Sequence, residues 1–339
     1  MLSNSKIKFV VTISIVIIVC ITSFFGILAL QILISYLFLI HTPCKTLTDG
    51  ELYNPELVPT LDDSFFWDEP NLYHMQCVST HNSFHKPLSI SSLFIKQWNY
   101  EHPDILTQLE DGVCGIELDL HYSKRTKRWI VYHILFDHGT TCRCLVDCLQ
   151  IIKDFINYNS IPIVIMLQVG QEYDISKFCS WGSAQEIFDN LEKEILSVFD
   201  YDDIFFPKQM QGSYPTIQQA LNERGWPSFN KLKGKVYFVY IGRKICHDIY
   251  LLRDEKMFFV EVGFLERFYT ERSIYLEARY EVELRNVQKE KFIVKCCDYK
   301  GYTCKDKGAH YIHTNDYTLH KNLIRCNPVT SINITTCLL

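Results

Sequence analysis

Gly115-Ile116-Glu117-Leu118-Asp119-Leu120 reads as a strand whose two carboxylates stand two residues apart. Residues at that spacing project to one face of a strand, so Glu117 and Asp119 share a side while Ile116, Leu118 and Leu120 take the other. Two unpaired anions are costly to bury, so the pair implies a cation, a basic partner or a shared proton. Solvated or salt-bridged carboxylates at a strand end satisfy the same spacing.

Outward from this run, short apolar segments alternate with helical patterns, the order that builds a parallel α/β sheet. Strands are expected over 75–80, 115–120, 129–133, 161–168, 235–241, 257–262, 292–296 and 310–313. Between them, 104–109, 145–158, 184–199, 217–223 and 280–289 carry apolar residues at helical spacing. Eight strands predict a closed TIM-type (β/α)8 barrel over 72–339, behind a polar, proline-containing linker at 42–71. A barrel of this kind commonly takes about 250 residues, which is roughly what remains of the 339 once the N-terminal segment is set aside. Hydrophobic residues at 47% are enough to fill such a core, and no internal repeat appears.

Residues 9–40 carry no charge. The run exceeds the roughly 20 residues a membrane span needs and the 7–15 of a cleavable signal, so a retained anchor over 1–41 is expected ahead of a removed signal and a secreted product. Lys6 and Lys8 precede it, which places the N-terminus in the cytosol and the rest of the chain in the lumen or outside. Thirteen of the fourteen cysteines follow the run in no convincing zinc pattern, so disulfides are expected; spacing leaves the pairing open, and the odd count leaves one thiol over or bonded to another chain. Asn333-Ile334-Thr335 is a glycosylation sequon suited to that compartment. The net charge of −5 argues against a nucleic-acid partner, and the oligomeric state is not readable.

In a barrel of this class the chemistry lies at the carboxyl ends of the strands. His81 and Asn82 follow the first expected strand, Glu117, Asp119 and His121 end the second, His133 ends the third and Gln168 ends the fourth. Oxygen donors without a nearby cysteine favour the hard cations Ca2+ and Mg2+ over zinc. His81 and His133 offer the acid and base that cleavage of a phosphodiester needs, with His85, His121 and His138 as competitors that spacing does not exclude. A lone strand-end histidine or carboxylate has many structural uses; it is the grouping that carries the reading.

Several of these segments resemble, in order, the calcium-dependent phosphoinositide-specific phospholipases C of the phospholipase C-like phosphodiesterase superfamily. Thr80-His81-Asn82-Ser83-Phe84-His85 is similar to the family's first histidine motif, and Gln108-Leu109-Glu110-Asp111-Gly112-Val113 leads into an acidic strand, Glu117-Leu118-Asp119-Leu120-His121. Val131-Tyr132-His133 followed by Gly139-Thr140-Thr141-Cys142 resembles the second histidine segment, with Cys148 as its later cysteine. Gly212-Ser213-Tyr214-Pro215-Thr216 and Trp226-Pro227 before Gly234-Lys235-Val236 resemble the central region. The likeness is good over about 74–245 and looser elsewhere. It implies an α/β barrel, His81 and His133 acting on the phosphate and the leaving oxygen, and Ca2+ held by Asn82, Glu117, Asp119 and the position of Gln168. The substrate implied is a phospholipid at a membrane surface, cleaved to diacylglycerol and an inositol phosphate.

The sequence departs from that pattern in Pro162-Ile163-Val164-Ile165-Met166-Leu167-Gln168, where Gln168 stands for an expected glutamate, and at Gly170, where a lysine is expected. Gln168 is either a neutral strand-end residue or a ligand through its amide oxygen, which calcium accepts. Two other functions stay open at this point: a related barrel phosphodiesterase for glycerophosphodiesters or sphingolipids, and a catalytically silent, membrane-tethered protein that binds lipid head groups.

Overall fold

The computed structural model describes residues 4–44, 50–67, 70–88, 95–123, 125–169, 184–242, 244–263, 271–278, 290–297, 303–321 and 323–329. The chain divides into two units, Met1–Pro43 and Cys44–Leu339. The first is a helix, α1, Asn4–His41, within which the 23 residues Ile17–Leu39 have a mean hydropathy of 2.6. That is long and apolar enough to cross a membrane.

The second unit is a closed barrel. Its strands are β1 (Met75–Thr80), β2 (Val113–Ser123), β4 (Ile163–Val169), β5 (Val236–Gly242), β6 (Phe259–Gly263), β7 (Tyr275–Ala278), β8 (Ile293–Cys297) and β9 (Tyr311–Thr314). Each pairs in parallel with the next, and β9 pairs back onto β1, so no barrel edge stays open. Two short strands lie outside the ring. β3 (Arg128–Val131) runs antiparallel to the carboxyl half of β2, and β10 (Arg325–Cys326) runs antiparallel to the start of β1.

The expected count of eight barrel strands is right, but its membership changes. Residues 129–133 are not a barrel strand: Leu120 to Ser123 turn back through 125–127 and pair with β3 as a hairpin arm, so His133 lies beyond the strand rather than at its end. The place in the ring belongs to β7. Its Glu277 faces Lys295 in register on β8, and an inward acid breaks the apolar run by which a buried strand is recognised. The expected helices at 104–109, 145–158, 184–199 and 217–223 appear as Ile105–Glu110, Leu145–Ile156, Ala184–Leu196 and Ile217–Arg224. The expected helix at 280–289, Gly170 and Asn333 lie outside the described residues.

The apolar core lies between barrel and helices. Helix α2, Leu145–Ile156, buries Leu145, Cys148, Leu149, Ile152 and Phe155, a three-and-four spacing that covers one face. Burial of each large apolar side chain stabilises by roughly 1.5–3 kcal/mol. Residues 50–67 join this core through Val58 and Phe66, with the Arg224 guanidinium over the Phe66 ring. Gly115 is required where β1 and β2 close up: a Cβ there would stand 2.3 Å from Ser79 Cβ, beside a register shift between Val78 and Ser79. Disulfides join Cys44 to Cys144, Cys77 to Cys114, Cys142 to Cys148 and Cys296 to Cys304. Cys326 is also disulfide-bonded, whereas Cys20 and Cys297 carry free thiols.

Candidate active site at the barrel mouth

Strand register gathers the polar groups. Ser79 of β1 lies beside His313 of β9, Glu117 of β2 beside Met166 of β4, and Asp119 beside Gln168 at the ends of the same two strands. Residues in register project to the same face, so Gln168 shares the face of Asp119 and Glu117. The two carboxylates expected on one side are there, both buried.

Glu117 is held from three directions. Its Oε2 accepts the Asn82 backbone N–H (2.9 Å), lies 3.1 Å from His313 Nε2 and 3.9 Å from His81 Nε2. His313 Nδ1 in turn meets Ser79 Oγ at 3.0 Å. Burial pushes the Glu117 carboxyl up, but the His313 and His81 rings outweigh it and hold the group below the usual carboxylate range. Asp119 differs: burial, reinforced by the charge of Glu117, drives its carboxyl well above the ordinary value. A buried acid forced toward neutrality beside an ionised one is a place where a cation restores the charge balance.

Asn82 supplies the test of fit for such an ion. Its backbone takes a positive φ of 49°, which turns the amide toward Asp119. With Nδ2 donating to Tyr100 Oη (3.0 Å), the amide oxygen stands 3.2 and 3.0 Å from the two Asp119 oxygens, acceptor against acceptor. Between an ionised Asp119 and the amide oxygen such a contact is repulsive; a proton on Asp119 relieves it, and so does a cation placed between the two oxygens. Without the cation the amide reverses, its nitrogen donating to Asp119 and its oxygen accepting from Tyr100 over the same distances. The oxygen donors of Asn82, Asp119, Glu117 and Gln168 therefore fit a hard cation, Ca2+ above all.

The histidines separate by environment. His81 follows β1 with its ring a quarter exposed; its Nδ1 meets Asn315 Oδ1 at 2.7 Å, and since that oxygen accepts, Nδ1 donates and Nε2 carries the lone pair. His133 is 18% exposed, and its Nδ1 donates to Asp137 Oδ2 at 2.8 Å. The competitors lie deeper. His85 is enclosed, with both ring nitrogens engaged by Tyr100 O and Asp137 Oδ2 at 2.8 Å each; His121 is buried, stacked on Tyr132 and donating to its carbonyl at 2.7 Å; His138 meets Leu135 O at 2.7 Å. Beneath the mouth, Lys295 Nζ pairs with Glu261 at 2.9 Å inside the barrel.

Sequence reasoning had not singled out Asp137, His313, Tyr100 or Asn315. Asp137 had a signal, a carboxylate four residues after a candidate histidine. His313 ends an expected strand and could have been weighed as the others were. Nothing in the sequence marks Tyr100, which stacks on His85 at 4.2 Å and reaches Asn82.

Burial pulls the His81 ring down to about 4, with Glu117 opposing. An unfolded histidine protonates near 6.5. The stabilising contribution of neutral His81 is thus fully present above about pH 6.5 and lost as the pH falls toward 4. Buried Glu192, Glu194 and Glu261, pushed up to about 7, act in the opposite sense, so the effect must be read against a variant. We expect His81→Gln to gain stability relative to the wild type as pH drops through that window, measured by paired urea unfolding. A difference independent of pH would contradict the assignment.

A closed parallel barrel with histidines and carboxylates at the carboxyl ends of its strands defines the class: a (β/α)8 barrel with its site where that class places chemistry. Residues 125–263 match the family model of the Ca2+-dependent phosphoinositide phospholipases C, phosphodiesterases, which bears out the resemblance read from the motifs. That stretch contains His133, Asp137 and Gln168, while His81, Asn82, Glu117 and Asp119 precede it. Among solved structures, the calcium-dependent phosphoinositol-specific phospholipase C of a Gram-negative Pseudomonas sp., in its myoinositol complex, is similar with a TM-score of 0.58 at 14% identity, over 81% of this chain and 99% of that one. The Ca2+-dependent phosphatidylinositol-specific enzyme of Streptomyces antibioticus gives 0.53 at 13%, over 74% and 96%. At such identities the likeness speaks for the fold. No curated protein matches the chain.

Proposed function

We propose that the chain is a phosphoric diester hydrolase that cleaves a phosphoinositide-type phospholipid to diacylglycerol and an inositol phosphate. The observation that supports this is a pair of partly exposed histidines at the mouth, His81 with Nε2 3.9 Å from Glu117 and His133 hydrogen-bonded to Asp137. His81, neutral and with its lone pair on Nε2, accepts the proton of the attacking inositol hydroxyl. His133, oriented by the hydrogen bond from its Nδ1 to Asp137, gives a proton from Nε2 to the departing diacylglycerol oxygen. Asn82, Glu117, Asp119 and Gln168 would hold Ca2+, which when bound lowers the pKa of a neighbouring hydroxyl and offsets charge at phosphorus. His313 and Ser79 fix Glu117, and Asn315 fixes the tautomer of His81.

The proposed setting is a single-pass anchor with the barrel lumenal or extracellular, supported by α1 and by the disulfides of the second unit. The head group is tested by giving the full-length protein in detergent phosphatidylinositol, phosphatidylcholine, sphingomyelin and a glycerophosphodiester in parallel. Diacylglycerol from phosphatidylinositol alone is expected; cleavage of another substrate in its place overturns the assignment.

Gln168 makes the cradle weak, because two carboxylates and two neutral amides carry less charge than a third carboxylate would give. Ligand charge count is a main control of calcium affinity, and extracellular sites work at about 10⁻⁴–10⁻³ M. Gln168→Glu is expected to tighten Ca2+ binding on the order of tenfold and to lower the calcium needed for half-maximal activity in step. Calorimetric titration showing no change would put Gln168 outside the ion's coordination.

A further inference from the structure

We propose that His85, Asp137 and His133 form a second metal site, for a zinc-type transition ion, distinct from the oxygen-donor cradle, and that its occupation withdraws His133 from proton transfer. The ligand atoms of the three residues lie within 4.8 Å of one another. Asp137 Oδ2 stands 2.8 Å from both His85 Nε2 and His133 Nδ1. Two imidazoles and one carboxylate, of which His133 is the partly exposed member, make the donor set that zinc takes in open sites. The other cradle offers oxygens, which suit calcium; the two sites sort ions by ligand chemistry.

Two further observations point to an ion rather than to hydrogen bonds alone. The first is proton counting at His85. Its Nδ1 faces the Tyr100 carbonyl and must donate, so a neutral ring turns the Nε2 lone pair onto the Asp137 oxygen 2.8 Å away, two acceptors that an ion between them satisfies. A histidine ligand that donates its other N–H to a backbone carbonyl is the usual outer support of a metal site. The second is Asp137 Oδ1, which is buried and has no hydrogen-bond partner among the described residues. An unsatisfied carboxylate oxygen is costly there, and an ion held by both oxygens of Asp137 gives it a use.

Coordination needs the lone pairs of His85 Nε2 and His133 Nδ1, so protons compete with the ion and affinity falls as pH falls. With zinc–ligand bonds of about 2.0–2.2 Å the donors sit about 3.3 Å apart, so the two hydrogen-bonded contacts open by about half an ångström. Coordinated His133 no longer has Asp137 as the proton-stabilising partner that the proposed leaving-group step needs. This inhibitory half rests on the function proposed above; the binding half does not.

The test uses the full-length protein in detergent with excess Ca2+, titrated with Co2+ as a visible probe and then with Zn2+. One Co2+ per chain is expected, with the strong visible absorption of a four- or five-coordinate ion and no thiolate charge-transfer band. Zn2+ should displace it, and His85→Gln and Asp137→Asn should abolish it while Ca2+ binding persists. X-ray absorption at the zinc edge of the wild-type chain should show imidazole and oxygen donors, which keeps the test independent of variant folding. No binding at millimolar metal, sulfur in the shell, or retention by both variants overturns the site. Phosphatidylinositol cleavage should fall as the site fills. Unchanged cleavage by a zinc-filled protein would leave the site standing and overturn its inhibitory role, together with the role given to His133.

Discussion

His133→Ala is expected to lower kcat on phosphatidylinositol by about 10²–10⁴-fold, with a much smaller change in KM and in thermal midpoint. The ring is partly exposed, so its removal opens no sealed cavity, and Asp137 keeps His85 as a partner. On the proposed mechanism what is lost is the proton for the leaving oxygen. That separation distinguishes proton transfer from a structural role, because a merely structural histidine would move the midpoint and leave turnover in the surviving folded fraction. His81→Ala should cost turnover by the same order. Near-wild-type kcat in either variant would remove that histidine from the mechanism. His85, His121 and His138 do not offer a ready replacement, each being buried with a ring nitrogen on a backbone carbonyl.

Glu117→Gln should weaken Ca2+ binding by about 10–100-fold or more, taking the loss from an outer partner of a metal ligand as the lower guide. The variant keeps an oxygen for the Asn82 N–H but loses the charge that opposes the ion, and its amide presents donors where His313 Nε2 now meets a carboxylate. With one ionised group gone, Asp119 loses the repulsion that adds to burial in raising it, and its carboxyl should move down while burial still holds it up. The measurement is calorimetric Ca2+ titration of both proteins at one pH. Equal affinities would exclude Glu117 from the cradle.

Much of this arrangement was legible because barrel strands place their ends in one mouth. Glu117 and Asp119 share a face by the two-residue period of a strand, and Asn82 and His81 follow from the position of β1. Periodicity failed at β7, a strand of four residues that carries Glu277, while β6 and β8 were legible despite Glu261 and Lys295. Glu277 on β7 and Lys295 on β8 face one another, and Lys295 also pairs with Glu261 on β6, so charges satisfied by one another occupy positions where a sequence pattern expects apolar side chains. The apolar run at 129–133 was mistaken for a barrel strand because Trp129, Ile130 and Val131 are buried as such a strand would be, though by the hairpin and its neighbours. The groups that hold the site are a matter of distance in space: His313 meets Glu117 across 196 positions of sequence, and Asn315 meets His81 across 234. No local spacing encodes such contacts.

The central claim is tested most directly by release of diacylglycerol from phosphatidylinositol in mixed micelles by the full-length protein, with Ca2+ and with a chelator. Release is expected to require calcium and to rise over the range about 10⁻⁴–10⁻³ M. Absence of release at millimolar calcium from a folded, calcium-bound protein would contradict it.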